Sequence, residues 1–158
     1  MLIRRVAAAE TFALRQRVLR PHDTSDELAG AAGATHFAAF DGDVVIASGS
    51  VMAQSPPWET WDTRQAWRLR GMATAEDRRG QGIGAALLDA VVDHVRAEGG
   101  RLLWCNARVP ARAFYERAAF VSRGEPWTDP VIGPHVAMLL LIEGTRAPAK
   151  RARGKSGL

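Results

Sequence analysis

The 158 residues, 47% hydrophobic and 24% charged, have the size and composition of one globular domain that can bury a core without disulfides. No apolar run approaches the roughly 18 residues of a membrane span, Met1-Leu2-Ile3-Arg4-Arg5 lacks the apolar stretch of a secretory signal, and a lone cysteine, Cys105, excludes an internal disulfide or a multi-cysteine metal site. The formal charge of +4 is uneven: Arg146, Lys150, Arg151, Arg153 and Lys155 lie in residues 144–158 with no acid, and without these five the charge is −1.

The chain therefore divides into a near-neutral domain, residues 1–143, and a basic, polar, aperiodic tail, residues 144–158, expected to be disordered. A nucleic-acid partner would rest on that tail alone, which carries no interleaved aromatic residue. Cytoplasm is the default compartment, and neither a membrane nor a metal is expected.

In chain order, Leu2–Val6 alternates as a short strand. Glu10–Leu19 reads as a helix ended by Pro21. Residues 22–34 read as a loop with room for one helical turn. Thr35–Phe40 and Val44–Met52 flank Asp41-Gly42-Asp43 as a hairpin. Gln54–Asp62, with Pro56-Pro57 and two tryptophans, reads as a loop, and Ala66–Thr74 as the next strand. From Gly82, Ile83, Leu87, Leu88, Val91, Val92 and Val95 recur at helical spacing, and Gly99-Gly100 stops that helix. Leu102–Cys105 is a short buried strand and Pro110–Ala119 a helix. Phe120–Arg123 and His135–Ile142 are the last strands, joined by Gly124–Pro134 with its three prolines. The order β-α-β-β-β-α-β-α-β-β predicts a mixed α/β fold.

The most informative stretch is Arg79-Gly80-Gln81-Gly82-Ile83-Gly84-Ala85, which opens the long amphipathic helix. The first N–H groups of a helix have no internal partner and carry positive potential. Glycines let an anion approach the backbone closely, so a pyrophosphate suits the turn. A P-loop would need Gly-Lys-Ser/Thr, which Ile83-Gly84-Ala85 lacks. A dinucleotide turn would follow the first strand and have an acid about 20 residues on; here the following strand ends Trp104-Cys105-Asn106.

The remaining pattern, Arg79-x-x-Gly82-x-Gly84, resembles the coenzyme A pyrophosphate loop of the GNAT superfamily of N-acyltransferases. Ala111-Arg112-Ala113-Phe114-Tyr115-Glu116-Arg117-Ala118-Ala119-Phe120 is similar to that family's Ala-x-x-Phe-Tyr-Glu-x-x-Gly-Phe segment. Leu69–Thr74 resembles its central strand, and the resemblance extends over nearly everything but the tail. It implies an α/β fold with a mixed, mostly antiparallel central sheet flanked by helices, its central strand pair splayed into a V-shaped gap for acetyl-CoA.

By that resemblance Met72, Ala73 and Thr74 would pair with pantetheine and stabilise the oxyanion. Arg79, Gly80, Gln81, Gly82, Ile83, Gly84 and Ala85 would hold the pyrophosphate, with Asn106 and Arg108 also on the cofactor. Arg108 stands where the family often has Asn, so it could reach a phosphate or the substrate instead. Ala119 replaces the usual Gly, which affects turn geometry.

Tyr115, the one tyrosine, matches the residue that protonates the departing thiolate. The implied activity is transfer of an acetyl group from acetyl-CoA to a primary amine of a small molecule or peptide, by direct attack. A non-catalytic CoA-binding module is the alternative, and a homodimer is a candidate assembly.

Relatives often carry a Glu on the central strand as base; here that strand has Arg68 and Arg70. His135 suits the role of base best, with a side chain that titrates near neutrality, ahead of Glu59, Asp62 and Glu125. Trp58 and Trp61 with Glu59 and Asp62 are candidates for an aromatic, acidic mouth, with Trp127 and Asp129 as the opposite wall. Cys105 reads as a small buried hydrophobe.

Overall fold

The computed structural model describes residues 1–22 and 25–143; the expected tail disorder lies outside them. Seven strands form one sheet in the order β1-β2-β3-β4-β5-β7-β6. They are β1 (Leu2–Val6), β2 (Thr35–Asp41), β3 (Val44–Ala53), β4 (Ala66–Thr74), β5 (Leu102–Arg108), β6 (Val121–Asp129) and β7 (Gly133–Leu141). All neighbours pair antiparallel except β4 and β5. The helices are α1 (Ala8–Leu19), α2 (Ile83–Ala97) and the short α3 (Arg112–Arg117). The mixed sheet flanked by helices is the fold class the sequence predicts.

Helix α2 buries Ile83, Leu87, Leu88, Val91 and Val95, the stripe read from its 3.6-residue period. These join Phe37, Val51, Trp67, Leu69, Leu103 and Met138 in the main core. Because side chains alternate along a strand, Trp67 and Leu69 of β4 enter that core, while Arg68 and Arg70 project to the face covered by α1. Helix α1 starts at Ala8, two residues earlier than expected. The Glu10 carboxylate accepts the Ala7 N–H at 2.9 Å, which anchors the earlier start.

Three local features bear on the site, the first as the family resemblance implies and the other two different from expectation. The parallel ladder between β4 and β5 is short: it covers Ala66–Leu102, Trp67–Leu103 and Arg68–Trp104 and then stops. Beyond it a bulge sets Gly71 and Met72 of β4 opposite Gly49 alone. Gly71 adopts φ +66, and a Cβ there would meet Arg15 Cδ and Leu28 Cδ1 at 3.0 Å each. The Ser48 hydroxyl donates to the Gly71 carbonyl at 2.9 Å and fixes the bulge.

The second feature is the final hairpin. The segment expected as a loop, residues 124–134, is mostly strand. Pro126 falls in the register shift between Arg123 and Trp127 on edge strand β6, where its missing N–H costs no ladder bond.

The third is α3, shorter than expected and preceded by a 3₁₀ turn at Val109–Ala111. It ends with Ala119 at φ +71, and the Phe120 N–H bonds the Tyr115 carbonyl at 3.0 Å. A methyl group in this left-handed conformation is strained. Ala119→Gly should therefore raise stability by about 0.5–1 kcal/mol, read as a higher urea midpoint at unchanged m-value.

Candidate active site

Where β4 and β5 part, a cleft of about 390 Å³ opens. Arg68–Met72 of β4 and Cys105–Arg108 of β5 form its floor, with Tyr115 beside them. Phe12, Arg15, Gln16 and Leu19 of α1, with Arg20 at its C-cap, form one wall, with Ser25, Glu27 and Leu28 after it. Trp127, Asp129, Ile132 and His135 of the last hairpin close the other side.

Five predicted site residues meet here: Met72, Asn106, Arg108, Tyr115 and His135. The α1 wall and Ile132 were not read from sequence.

Tyr115 is 6% exposed. Its hydroxyl hydrogen-bonds the Cys105 thiol, and burial holds the phenol well above its ordinary pKa of 10.0. Cys105 is buried as expected, and desolvation pushes its thiol up to about 12. It is therefore an inert thiol rather than a nucleophile.

His135 is buried. Its Nδ1 lies 2.8 Å from the Gly133 carbonyl, which can only accept, so neutral His135 carries its proton on Nδ1. The Nε2 lone pair is thereby left as the basic position. The ring stacks on Trp127 at 5.8 Å between centroids. Asp129 caps the turn before β7 by accepting the Val131 and Ile132 N–H groups, which hold its carboxyl below the usual range.

The glycine turn lies apart from this cleft's lining. Gly82 is the N-cap of α2 at φ +78, and no side chain caps the helix start. A Cβ on Gly80 or Gly82 would meet nothing within 4 Å, so both face open space. Gly84 differs: a Cβ there would lie 3.1 Å from both Phe114 and Thr74 Oγ1. Its missing side chain lets the start of α2 pack against α3 and the end of β4. Arg79, Gln81 and Ala85 are exposed around the turn, Ile83 is buried, and Ala73 is not in the cleft lining but packs in an apolar cluster with Leu14 and Ala75. Arg78 is engaged with Asp41 at 2.7 Å.

The proposed aromatic mouth does not form. Trp58 packs edge-on against Trp104 at 5.7 Å, Trp61 joins the same cluster, and Glu59, Asp62 and Glu125 are exposed away from the cleft lining. The reason is hydrophobic burial: the loop covers Trp104, whose Nε1 donates to the Gln54 carbonyl at 2.8 Å. Trp127 and Asp129 do line the cleft. Arg108 donates to the Leu19 carbonyl, on the α1 side.

Comparison with known proteins adds to this geometry. The model of the acetyltransferase (GNAT) family matches residues 5–120. An uncharacterized N-acetyltransferase of Bacillus subtilis (strain 168), YitI, is 31% identical over 148 residues, covering 91% of this chain and 98% of that protein. Among solved structures, an aminoglycoside 6'-N-acetyltransferase complexed with coenzyme A superposes with a TM-score of 0.71 at 15% identity, over 89% of this chain and 97% of that one. A ribosomal-protein-alanine N-acetyltransferase from Brucella melitensis gives 0.69 at 18%, over 90% and 100%. With its splayed β4–β5 pair, the uncapped glycine start of α2 and a family match across most of its length, the chain belongs to the GNAT family of acetyltransferases.

Proposed function

We propose that the protein moves an acetyl group from acetyl-CoA to a primary amine by direct attack of the amine on the thioester. The observation that carries this reading is the end of the β4–β5 ladder at Arg68–Trp104, with Tyr115 and His135 both on the cleft that begins there. From Leu69 to Thr74, β4 has no partner strand on its β5 side among the described residues, so its backbone groups are available to an extended ligand. Acetyl-CoA supplies the activated acyl group. Met72, Ala73 and Thr74 would align its pantetheine arm, and a backbone N–H there would hold the thioester carbonyl. The bare N–H groups from Arg79 to Ala85 suit its pyrophosphate.

The Nε2 of His135 would take the proton of the incoming amine. The Tyr115 hydroxyl would turn from the neutral Cys105 thiol toward the departing thiolate, a stronger acceptor because it is charged. Asn106 and Arg108, at the β5 side of the opening, complete the proposed cofactor contacts.

Calorimetric titration with acetyl-CoA, with NADH as control, tests the reading. Acetyl-CoA alone should bind, and Gly82→Asp should weaken it at least tenfold, about 1.4 kcal/mol. Gly82→Asn shares the positive-φ demand but not the charge, so its loss should be smaller. An affinity for acetyl-CoA in Gly82→Asp within threefold of the parent protein would remove the pyrophosphate from this turn.

A further inference from the structure

Arginine dominates the charge of the cleft. Among the described lining residues Arg15, Arg20, Arg68, Arg70 and Arg108 stand against Glu27 and Asp129. Three of these arginines have an acid near them. Arg15 is forked onto Asp26, Arg70 lies 4.0 Å from Glu27, and Arg20 lies close enough to Asp129 to help depress its pKa.

Arg68 and Arg108 are different. The charged side chain that most perturbs each is another arginine, Arg70 for Arg68 and Arg20 for Arg108, and neither forms an ion pair with a carboxylate among the described residues. Arg68 is the sharper case. Its guanidinium stacks 5.0 Å from the Trp104 ring, and its Nε is buried with no hydrogen-bond partner. A desolvated donor on a charged group, beside a second guanidinium two residues along the same strand face, is costly unless something anionic completes it.

We infer that the acceptor amine carries its own carboxylate, an amino-acid-type substrate whose anion docks on Arg68 at the floor of the cleft. This rests on the acetyl-transfer reading above. The guanidinium fork matches a carboxylate in two parallel bonds, and pairing there would satisfy the orphaned Nε edge. A cleft of about 390 Å³ holds a molecule of that size. A polycationic amine would meet the same arginines as repulsion. The group transfer itself is unaltered: the N–C bond forms, the C–S bond breaks, one amine proton leaves to a base and the thiolate takes one up.

The test pairs L-leucine, L-methionine and L-phenylalanine with their decarboxylated amines, L-glutamate with its dimethyl ester, and phosphoethanolamine with ethanolamine. Turnover with acetyl-CoA is followed by released thiol, and binding of the same compounds to the coenzyme A-loaded protein by calorimetry. At least one carboxylate should bind and be acetylated with a kcat/KM tenfold or more above its partner. Arg68→Gln should erase that preference by raising KM at least tenfold, leaving coenzyme A affinity within twofold, and Arg68→Lys should restore part of it.

Equal or better use of the partners lacking the carboxylate overturns the inference. So does no binding of any carboxylate to the loaded protein, or a preference confined to phosphoethanolamine. A tenfold loss of coenzyme A affinity in Arg68→Gln would assign the arginine to the cofactor and also overturn it. Failure of the unaltered protein to bind coenzyme A would instead defeat the acetyl-transfer reading, a separable result.

Discussion

Asp26→Ala should cost about 3–5 kcal/mol of stability, the loss typical when one partner of a buried ion pair is removed. The side chains of Arg15 and Asp26 are 8% and 14% exposed and 2.7 Å apart. Arg15 donates from both terminal nitrogens to the two carboxylate oxygens, at 2.9 and 2.7 Å, and from Nε to Thr11 at 2.9 Å. Removing the carboxylate leaves a desolvated guanidinium between α1 and the segment that follows it. For a chain of this length the melting temperature should fall by roughly 6–20 °C.

The double variant Arg15→Met/Asp26→Ala should recover more than half of that loss, since no charge is then stranded. If Asp26→Ala loses less than about 1 kcal/mol, the value of an exposed pair, the pair does not hold this wall of the cleft. The pH dependence has a fixed sign. Arg15 holds the Asp26 carboxyl below its ordinary value of 3.8. The contribution is therefore complete above that pH and drains as pH falls through the lower folded value. Below about pH 4 the parent protein should destabilise more steeply than Asp26→Asn.

That ion pair marks a boundary of what the sequence discloses. The stripe of α2 and its glycine start were readable because they are local: period and backbone conformation are set by neighbours within a few residues. Tyr115 was readable because Phe114-Tyr115-Glu116 is contiguous. Nothing local marks Arg15 as buried, since its carboxylate partner lies eleven positions later.

The splay of β4 from β5 was legible only through the family resemblance; no periodicity announces where the ladder stops or the bulge opposite Gly49 beyond it. Prolines misdirected the reading of β6, because proline opposes a strand in the interior of a sheet but not at a bulged edge. The pairing of Trp58 with Trp104 spans 46 positions, and its apolar contact outweighed the acidic neighbours that suggested a mouth. The orphaned Nε of Arg68 likewise exists only once Trp104 lies beside it.

Tyr115→Phe should lower kcat by about 10²-fold or more, the contribution of a positioned proton donor, while acetyl-CoA affinity stays within twofold. The substitution removes one oxygen from a side chain 6% exposed and keeps the ring that packs on Phe114 and Phe120 at 5.0 and 5.3 Å. Its structural cost is one hydrogen bond to a thiol, about 1 kcal/mol at most. A fall in kcat and kcat/KM together, with binding intact, is the signature of an interaction made only in the transition state.

The phenol's pKa sharpens the test. Burial holds it well above 10.0, so the hydroxyl keeps its proton across the working range and, in the proposed mechanism, would act by a hydrogen bond to the thiolate. Tyr115 therefore contributes no loss of activity on the alkaline side up to at least pH 10. Turnover of Tyr115→Phe within threefold of the parent protein would take the hydroxyl out of the mechanism and leave it as the partner of Cys105 alone.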